Sequence, residues 1–350
     1  MPEDQVISID GSTGEGGGQI IRTALALSVI TGKPFSITAI RAGRREPGLK
    51  EQHLTCIEAA RAISQASVTG NTARSPALSF FPGKPRAGSY HFAVETAGSA
   101  SLVLHSIFYP LALLDRPSQL SIKGGTHVFW SPTFDYLSTN WAFHIKSAGF
   151  RAGLDLVKTG YFPRGRGEIS CTVGAYRDSA SLPPVRKLSR GVLTGLSIII
   201  GSSHLPDHVR RRMKATVKKV LGARLSLARF IEITPQAESP NAFICITAKF
   251  DHTSASFTDV GERGKPSEEV AENACRDFLS YLERRGALDL HMADQILLPL
   301  CLVPRGTSVY TTTHVTSHLL TNREIIMKFL PVSIEIEGKE HEEGKVTVKI

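Results

Sequence analysis

The chain offers little that can be cross-linked. Its five cysteines, Cys56, Cys171, Cys245, Cys275 and Cys301, are scattered and odd in number, and none forms a C-x-x-C pair. That argues against a disulfide framework and against a structural zinc site. Long hydrophobic runs are missing too. No apolar stretch approaches the roughly 18 residues that span a bilayer, and the opening MPEDQVISID lacks a secretory signal pattern, so an intracellular protein without a membrane segment is expected. Acidic residues are in the minority. The 32 Asp and Glu against 41 Lys and Arg leave a net charge of +9, which favours polyanionic partners such as nucleic acid or nucleotides.

Length and pattern bound the architecture. At roughly 150 residues per domain, 350 residues suggest two domains or one domain carrying an insertion. The order strand, glycine loop, helix opens the chain: QVISID, then GQIIRTALALSVITG, with Ile21, Ala24, Leu25 and Ser28 on one helical face. FSITAIRAG reads as a strand and LKEQHLTCIEAARAISQA as a second helix; ALSFFPG and SYHFAVE read as strands. A similar order recurs through SASLVLHSIFYPLALL, SQLSIKGG and FDYLSTNWAFHIKSAG, followed by a hairpin across RAGLDLVKTGYFPRGRGEISCTV. GAYRDSASLPPVRKLS is small, polar and proline-rich, which predicts a linker. Beyond it, PDHVRRRMKATVKKVLGA predicts a basic helix and NAFICITAKF a strand. KPSEEVAENACRDFLSYLERRG predicts a helix with Ser267 as its N-cap. The fold class expected is α+β: a main domain at 1–183 and 285–350, interrupted by a small α/β domain at 184–284.

The stretch DGSTGEGGGQIIRTALALS, Asp10 to Ser28, raises a chemical question. Bare amides at a helix start form a ready anion site, and glycines let a phosphate approach the backbone. The familiar templates do not fit. No lysine follows Gly18 as a Walker A loop requires, and Gln19 stands where a dinucleotide loop needs its third glycine. A tight turn and a phosphate site both remain open. Glu15 inside the loop is unfavourable beside an anion unless a cation intervenes, which points to Mg²⁺ or Mn²⁺. Arg22 follows one turn later, and IRAGRREPGLKEQH adds Arg41, Arg44, Arg45, Gln52 and His53, donors suited to phosphate oxygens. Near the end, His314 and His318 in HVTSHLLTN are spaced to share a helix face. A neutral imidazole there is a competent nucleophile toward an activated phosphate.

The blocks DGSTGEGGGQIIRTALALS, IRAGRREPGLKEQHLT, TAGSASLVL, GGT, ADQILLPL and SHLLTN…FLP resemble, in order and spacing, the RNA 3′-terminal phosphate cyclase family. The resemblance runs from about Ile7 to the C-terminus and is weaker through the insertion. It implies a main domain of three repeats, each two helices on a four-stranded sheet as in enolpyruvyl transferases, plus a small inserted domain. It also implies ATP-dependent conversion of an RNA 3′-phosphate to a 2′,3′-cyclic phosphate, through AMP held on histidine and then on the RNA end. His318 is then the nucleophile and Glu15 the metal ligand. Arg22, Arg41, Arg44, Gln52 and His53 grip phosphates. Asp294 and Gln295 lie beside the nucleotide, and Pro132 packs on adenine. Eukaryotic members of the family make the nucleus the favoured location.

Three positions depart from the family pattern. His105 stands where glutamine is expected, His291 where a tyrosine stacks on adenine, and YFPRGRGEI replaces a run of three glycines with Gly165, Arg166 and Gly167. Two other functions compete: a non-catalytic relative acting in ribosome assembly, and enolpyruvyl transfer. The first lacks the histidine and parts of the phosphate clamp; the second needs no covalent histidine. The presence of His318, Glu15, Arg22 and Arg44 favours the enzyme.

Overall fold

Short strands with alternate buried positions and helices with apolar faces recur here in one order. The computed structural model describes residues 6–176, 183–303 and 306–350. The first unit runs β1 (Ile7–Asp10), α1 (Gly18–Thr31), β2 (Phe35–Thr38), α2 (Glu51–Ser64), β3 (Ser67–Thr69) and β4 (Leu78–Phe81). Phe35 and Ile37 of β2 and Leu78 and Phe80 of β4 point inward at every second position. β1 and β2 are parallel, and β4 pairs antiparallel with β2 and β3, giving the order β1-β2-β4-β3. β2 is shorter than FSITAIRAG predicts, because Ala39 (φ 50°) and Arg41 (φ 52°) take left-handed backbone and turn the chain.

The second unit repeats this plan. β5 (Ser89–Ala93), α3 (Ala100–Ala112) and β6 (Ser118–Gly124) lead into α4 (Phe134–Tyr136), which continues through a π-helical stretch, Leu137–Trp141, into α5 (Ala142–Ser147). β7 (Ala152–Lys158) and β8 (Gly167–Val173) complete a sheet of order β5-β6-β8-β7, again with its first pair parallel and the rest antiparallel.

The third unit begins at β9 (Arg186–Lys187) and is interrupted at once. β10 (Leu193–Ser203), α6 (His208–Leu221), β11 (Ala228–Ile233), β12 (Asn241–Phe250), β13 (Ser254–Val260) and α7 (Ser267–Glu283) form a separate sheet, β11-β10-β12-β13, with its own hydrophobic cluster around Ile198, Met213, Ile246 and Phe278. The third unit then resumes with α8 (Met292–Gln295), α9 (Leu297–Cys301), β14 (Thr307–Thr312), α10 (Ser317–Phe329), β15 (Ser333–Glu337) and β16 (Gly344–Lys349). Its sheet, β15-β16-β14-β9, has the same parallel and antiparallel pairings as the first two. The fold is α+β with three repeats and an interrupting fourth sheet.

Several sequence expectations are corrected. Arg186 and Lys187, read as linker, pair with Val309 and Tyr310; the rest of that stretch at 177–182 lies outside the described residues. Ser267 is the first helical residue of α7 rather than its cap, which is Pro266; the Ser267 hydroxyl turns to Glu268 instead. His314 precedes α10, so it does not share a helix face with His318. No helix among the described residues is long and apolar enough to cross a membrane.

α1 is the hub. It is buried nearly all round (Ile20, Ile21, Ala24, Leu25, Ala26, Leu27, Val29) because α2, α3 and α10 all pack on it. All five cysteines are buried and free. Burial pushes the Cys56 thiol up to about 11 and those of Cys171 and Cys301 to about 12, which suppresses the reactive thiolate. A thiol-titrating disulfide reagent is therefore expected to find no fast-reacting cysteine in the native protein and all five in denaturant.

Candidate functional site

The glycine loop before α1 is bare because other side chains fill the space beside it. Gly14 has left-handed backbone (φ 59°), and a Cβ there would collide with the Thr321 hydroxyl. At Gly18 a Cβ would meet His53 Nε2 and lie 2.9 Å from Arg22 Nη1. The loop is thus pinned from outside. The Glu15 backbone amide donates to Thr321 Oγ1 at 3.0 Å. Asn322 then ties two more elements together: its Oδ1 accepts from the Thr23 hydroxyl of α1 at 2.7 Å, and its Nδ2 donates to the Asp294 carbonyl of α8 at 3.2 Å. Thr321, Asn322 and Gln19 are site residues the sequence reading missed. The signal for two of them was at hand, since both lie in the SHLLTN block with His318.

His318 lies in the first turn of α10. Its Nδ1 is 4.0 Å from Glu15 Oε1; half of the imidazole is exposed while the Glu15 side chain is only 5% exposed. The carboxylate is engaged on several sides. Arg44 Nη2 donates to Glu15 Oε2 at 2.9 Å and to its carbonyl at 2.8 Å, and the Gln19 amide donates to Oε1 at 3.3 Å. Desolvation lowers the His318 pKa from the usual imidazole value; Glu15 opposes that shift, and Arg22, His291 and Arg44 reinforce it. The imidazole is consequently neutral at physiological pH.

The other expected residues sort into three groups. Arg22 sits deep beside the loop. Its Nη2 donates to Gln19 Oε1 at 2.8 Å, and Gln19 Nε2 reaches Asp294 Oδ2 at 3.5 Å. Burial, with Asp289 adding to it, raises the Asp294 carboxyl to about 8, so it holds its proton at neutral pH. His53 is buried in the first turn of α2, where Nδ1 accepts the Lys50 backbone N–H at 3.0 Å. That bond leaves the ring hydrogen on Nε2, the nitrogen facing Gly18. His105, from α3, has a buried Nε2 without a partner and a ring 5.2 Å from that of Trp141. Burial, with Arg22 second, lowers both His53 and His105 to about 3.

A second group binds the backbone through one polar atom each. Arg41 Nη1 donates to the Glu46 and Gly48 carbonyls at 2.7 and 3.0 Å, closing its own loop. Gln52 Oε1 accepts the Ser99 N–H at 2.8 Å, joining the start of α2 to the start of α3. The third group lies at the margin. His291 is exposed just before α8, its ring 6.5 Å from Tyr136 and edge-on to it. Pro132 is half-buried in the loop before α4, and Gln295 Oε1 is buried without a partner. Arg45 is exposed and makes no site contact among the described residues.

These contacts bring four helix beginnings to one place. His53 joins the start of α2 to that of α1, Gln52 joins α2 to α3, and Thr321 and His318 join α10 to the α1 loop. Four helix N-termini, two arginines and a neutral histidine make a strong site for a multiply charged anion. Among the described residues no group of three or more His, Cys, Asp or Glu is placed to hold a metal, and the loop itself offers the Glu15 carboxylate. That donor set suits Mg²⁺ or Mn²⁺, which take further ligands from phosphate and water.

Comparison with known proteins gives consistent matches. The sequence profile described as "RNA 3'-terminal phosphate cyclase" matches residues 13–336. A protein of Methylococcus capsulatus bearing that name is 40% identical over 98% of this chain and 96% of its own. One from Ralstonia nicotianae is 40% identical over 95% of this chain and 94% of its own. One from Methanopyrus kandleri is 37% identical over 98% and 99%.

The two site histidines set a pH dependence. Each is neutral when folded down to about pH 3, whereas an unfolded histidine takes a proton near 6.5. The unfolded state therefore binds more protons below about pH 6.5, and stability falls as the pH drops toward 3. The melting temperature is expected to be lower at pH 5 than at pH 7.5, and His105→Gln is expected to reduce that difference.

Proposed function

This chain belongs to the RNA 3′-terminal phosphate cyclase family as one of its enzymes, and on that premise we propose that it converts an RNA 3′-phosphate into a 2′,3′-cyclic phosphate at the expense of ATP. The observation that supports this reading most directly is the exposed His318 imidazole held beside Glu15 of the glycine loop, with Arg22 and Arg44 around it.

His318 attacks the α-phosphorus of ATP through Nε2, with Nδ1 keeping its hydrogen toward Glu15. A P–N bond forms, the α–β P–O bond breaks and pyrophosphate leaves. An oxygen of the RNA 3′-phosphate then attacks that phosphorus, the P–N bond breaks, and the RNA end carries AMP. Finally the neighbouring 2′-hydroxyl attacks the 3′-phosphorus and AMP leaves. Tethering of that hydroxyl makes the last step effectively intramolecular, an advantage of up to about 7–11 kcal/mol in ideal cases. A DNA end lacks the hydroxyl and cannot close.

The residues divide the work as follows. Arg22, Arg44 and the amides at the four helix starts bind phosphate oxygens. His53 presents Nε2–H toward the same space, and its low pKa keeps it a neutral donor. Arg41 and Gln52 act one step back by shaping the loop and joining the helices. Asp294 and Gln295 border the nucleotide, with Pro132 and His291 flanking the base and His105 below it. Mg²⁺ or Mn²⁺, when present, would be held by Glu15 together with substrate phosphates and would neutralise their charge. Residues 184–284 act as an inserted domain, apart from β9. The expected nuclear location gains no support, because the relatives cited come from bacteria and an archaeon.

The test is direct. With Mg²⁺ and α-labelled ATP, the wild type is expected to carry acid-labile, base-stable AMP, and His318→Ala none. An unlabelled wild type, as a non-catalytic relative would give, or an equally labelled variant overturns the reading. Because the His318 pKa is lowered, the reactive neutral form persists on acidification. The midpoint of the acid-side fall in adenylation rate is therefore expected below about 6.5, the ordinary imidazole value; a midpoint above it would contradict this.

A further inference from the structure

Beyond the histidine, the loop joining β7 to β8 borders a cavity of about 630 Å³ lined by Glu95, Thr96, Pro163, Arg164 and Arg166. Two exposed arginines face it. Arg164 has no hydrogen bond or ion pair among the described residues. Arg166 reaches only Glu238, at 3.4 Å, and that carboxylate is held closer by Lys158 at 2.7 Å. Arg166 also stands in left-handed backbone (φ 54°), a conformation that a Cβ disfavours and glycine adopts freely. The chain thus keeps a guanidinium at a position where its backbone favours glycine.

The cavity is joined to the glycine loop by consecutive close contacts. Gly165 packs on Thr96 and Ala97, and a Cβ on the adjoining Gly98 would lie 3.1 Å from Gln52. Gln52 holds the start of α3, and its neighbour His53 lies against Gly18. Unpartnered aromatic surface borders the same loop. Phe162 is 62% exposed. Trp130 is 99% exposed, on a segment whose Thr126 and His127 amides both donate to the Gly160 carbonyl.

Resting on the RNA substrate proposed above, we infer that this cavity is a subsite for single-stranded RNA upstream of the terminal dinucleotide. Arg164 and Arg166 take backbone phosphates, and Phe162 and Trp130 offer faces for bases to stack on. Phosphate contacts need only charge and geometry, and stacking tolerates any base, so the subsite reads the strand and not its sequence. Glu95 is the acidic side chain among those lining the cavity and marks a wall that phosphates avoid.

The test uses the full chain with a labelled 12-nucleotide RNA bearing a 3′-phosphate, and a dinucleotide with the same end that is too short to reach the cavity. Arg164→Ala and Arg166→Gly are each expected to weaken 12-mer binding about tenfold and to make the log–log salt dependence shallower by about 0.7, one phosphate contact on a single strand. Dinucleotide affinity is expected to hold. Glycine suits φ 54°, so a loss in Arg166→Gly does not come from unfolding. Unchanged 12-mer affinity in both variants, as expected if the aromatic surface docks a protein instead, overturns the subsite; so does an equal loss for both RNA lengths. Adenylation of wild-type His318 reports separately on the reaction. Wild type that takes AMP while the variants bind RNA normally sinks the subsite alone. Wild type that takes no AMP yet binds RNA through these arginines sinks the reaction alone.

Discussion

The hydrogen bond from the Glu15 backbone amide to the Thr321 hydroxyl spans 306 positions of chain, and the site depends on it. It fixes the glycine loop under the first turn of α10, and so fixes the distance between Glu15 and His318. Gly14 has to be glycine for this bond to form, because the Thr321 oxygen occupies the place of a side chain. Asn322 adds a second anchor by bridging α1 and α8. A loop with so little side-chain packing of its own gains its rigidity from a neighbour's hydroxyl and amide.

Electrostatics follow from that geometry. Four helix beginnings and two arginines gather positive potential, and Glu15 offsets part of it through Arg44. Histidines inside such a field stay neutral. His53 and His105 are kept so by burial and then by Arg22, and His318 by burial against the pull of Glu15. A protonated imidazole would add to the attraction for phosphate but would have no lone pair to attack with. The neutral state of His318 is therefore the state that the proposed attack on phosphorus requires.

Much of this was legible in the sequence, for identifiable reasons. α1 and β12 follow their apolar patterns closely; NAFICITAKF is β12, residue for residue. β13 escaped notice because only Ala255, Phe257 and Val260 in it are apolar, and the structure explains its buried serines: Thr139, Thr247 and Ser256 share hydroxyl bonds where β13 meets the π-helical stretch, and His144 Nε2–H donates to the Ser254 carbonyl at 2.9 Å. His318 and Glu15 stood out as residue types. Their proximity did not, since it is set by packing around α1 that no local pattern encodes. Arg41 and Gln52 carry the right chemistry for phosphate, and one atom of each, Arg41 Nη1 and Gln52 Oε1, is bonded to backbone groups.

The third repeat is split between β9 and α8 by an entire extra sheet, and α10 comes after it. During synthesis the glycine loop leaves the ribosome first and its anchor last. At about 5–20 residues per second, the 306-residue gap corresponds to roughly 15–60 seconds of translation. The Glu15–His318 pairing is thus assembled only when the nascent chain has been extended through α10.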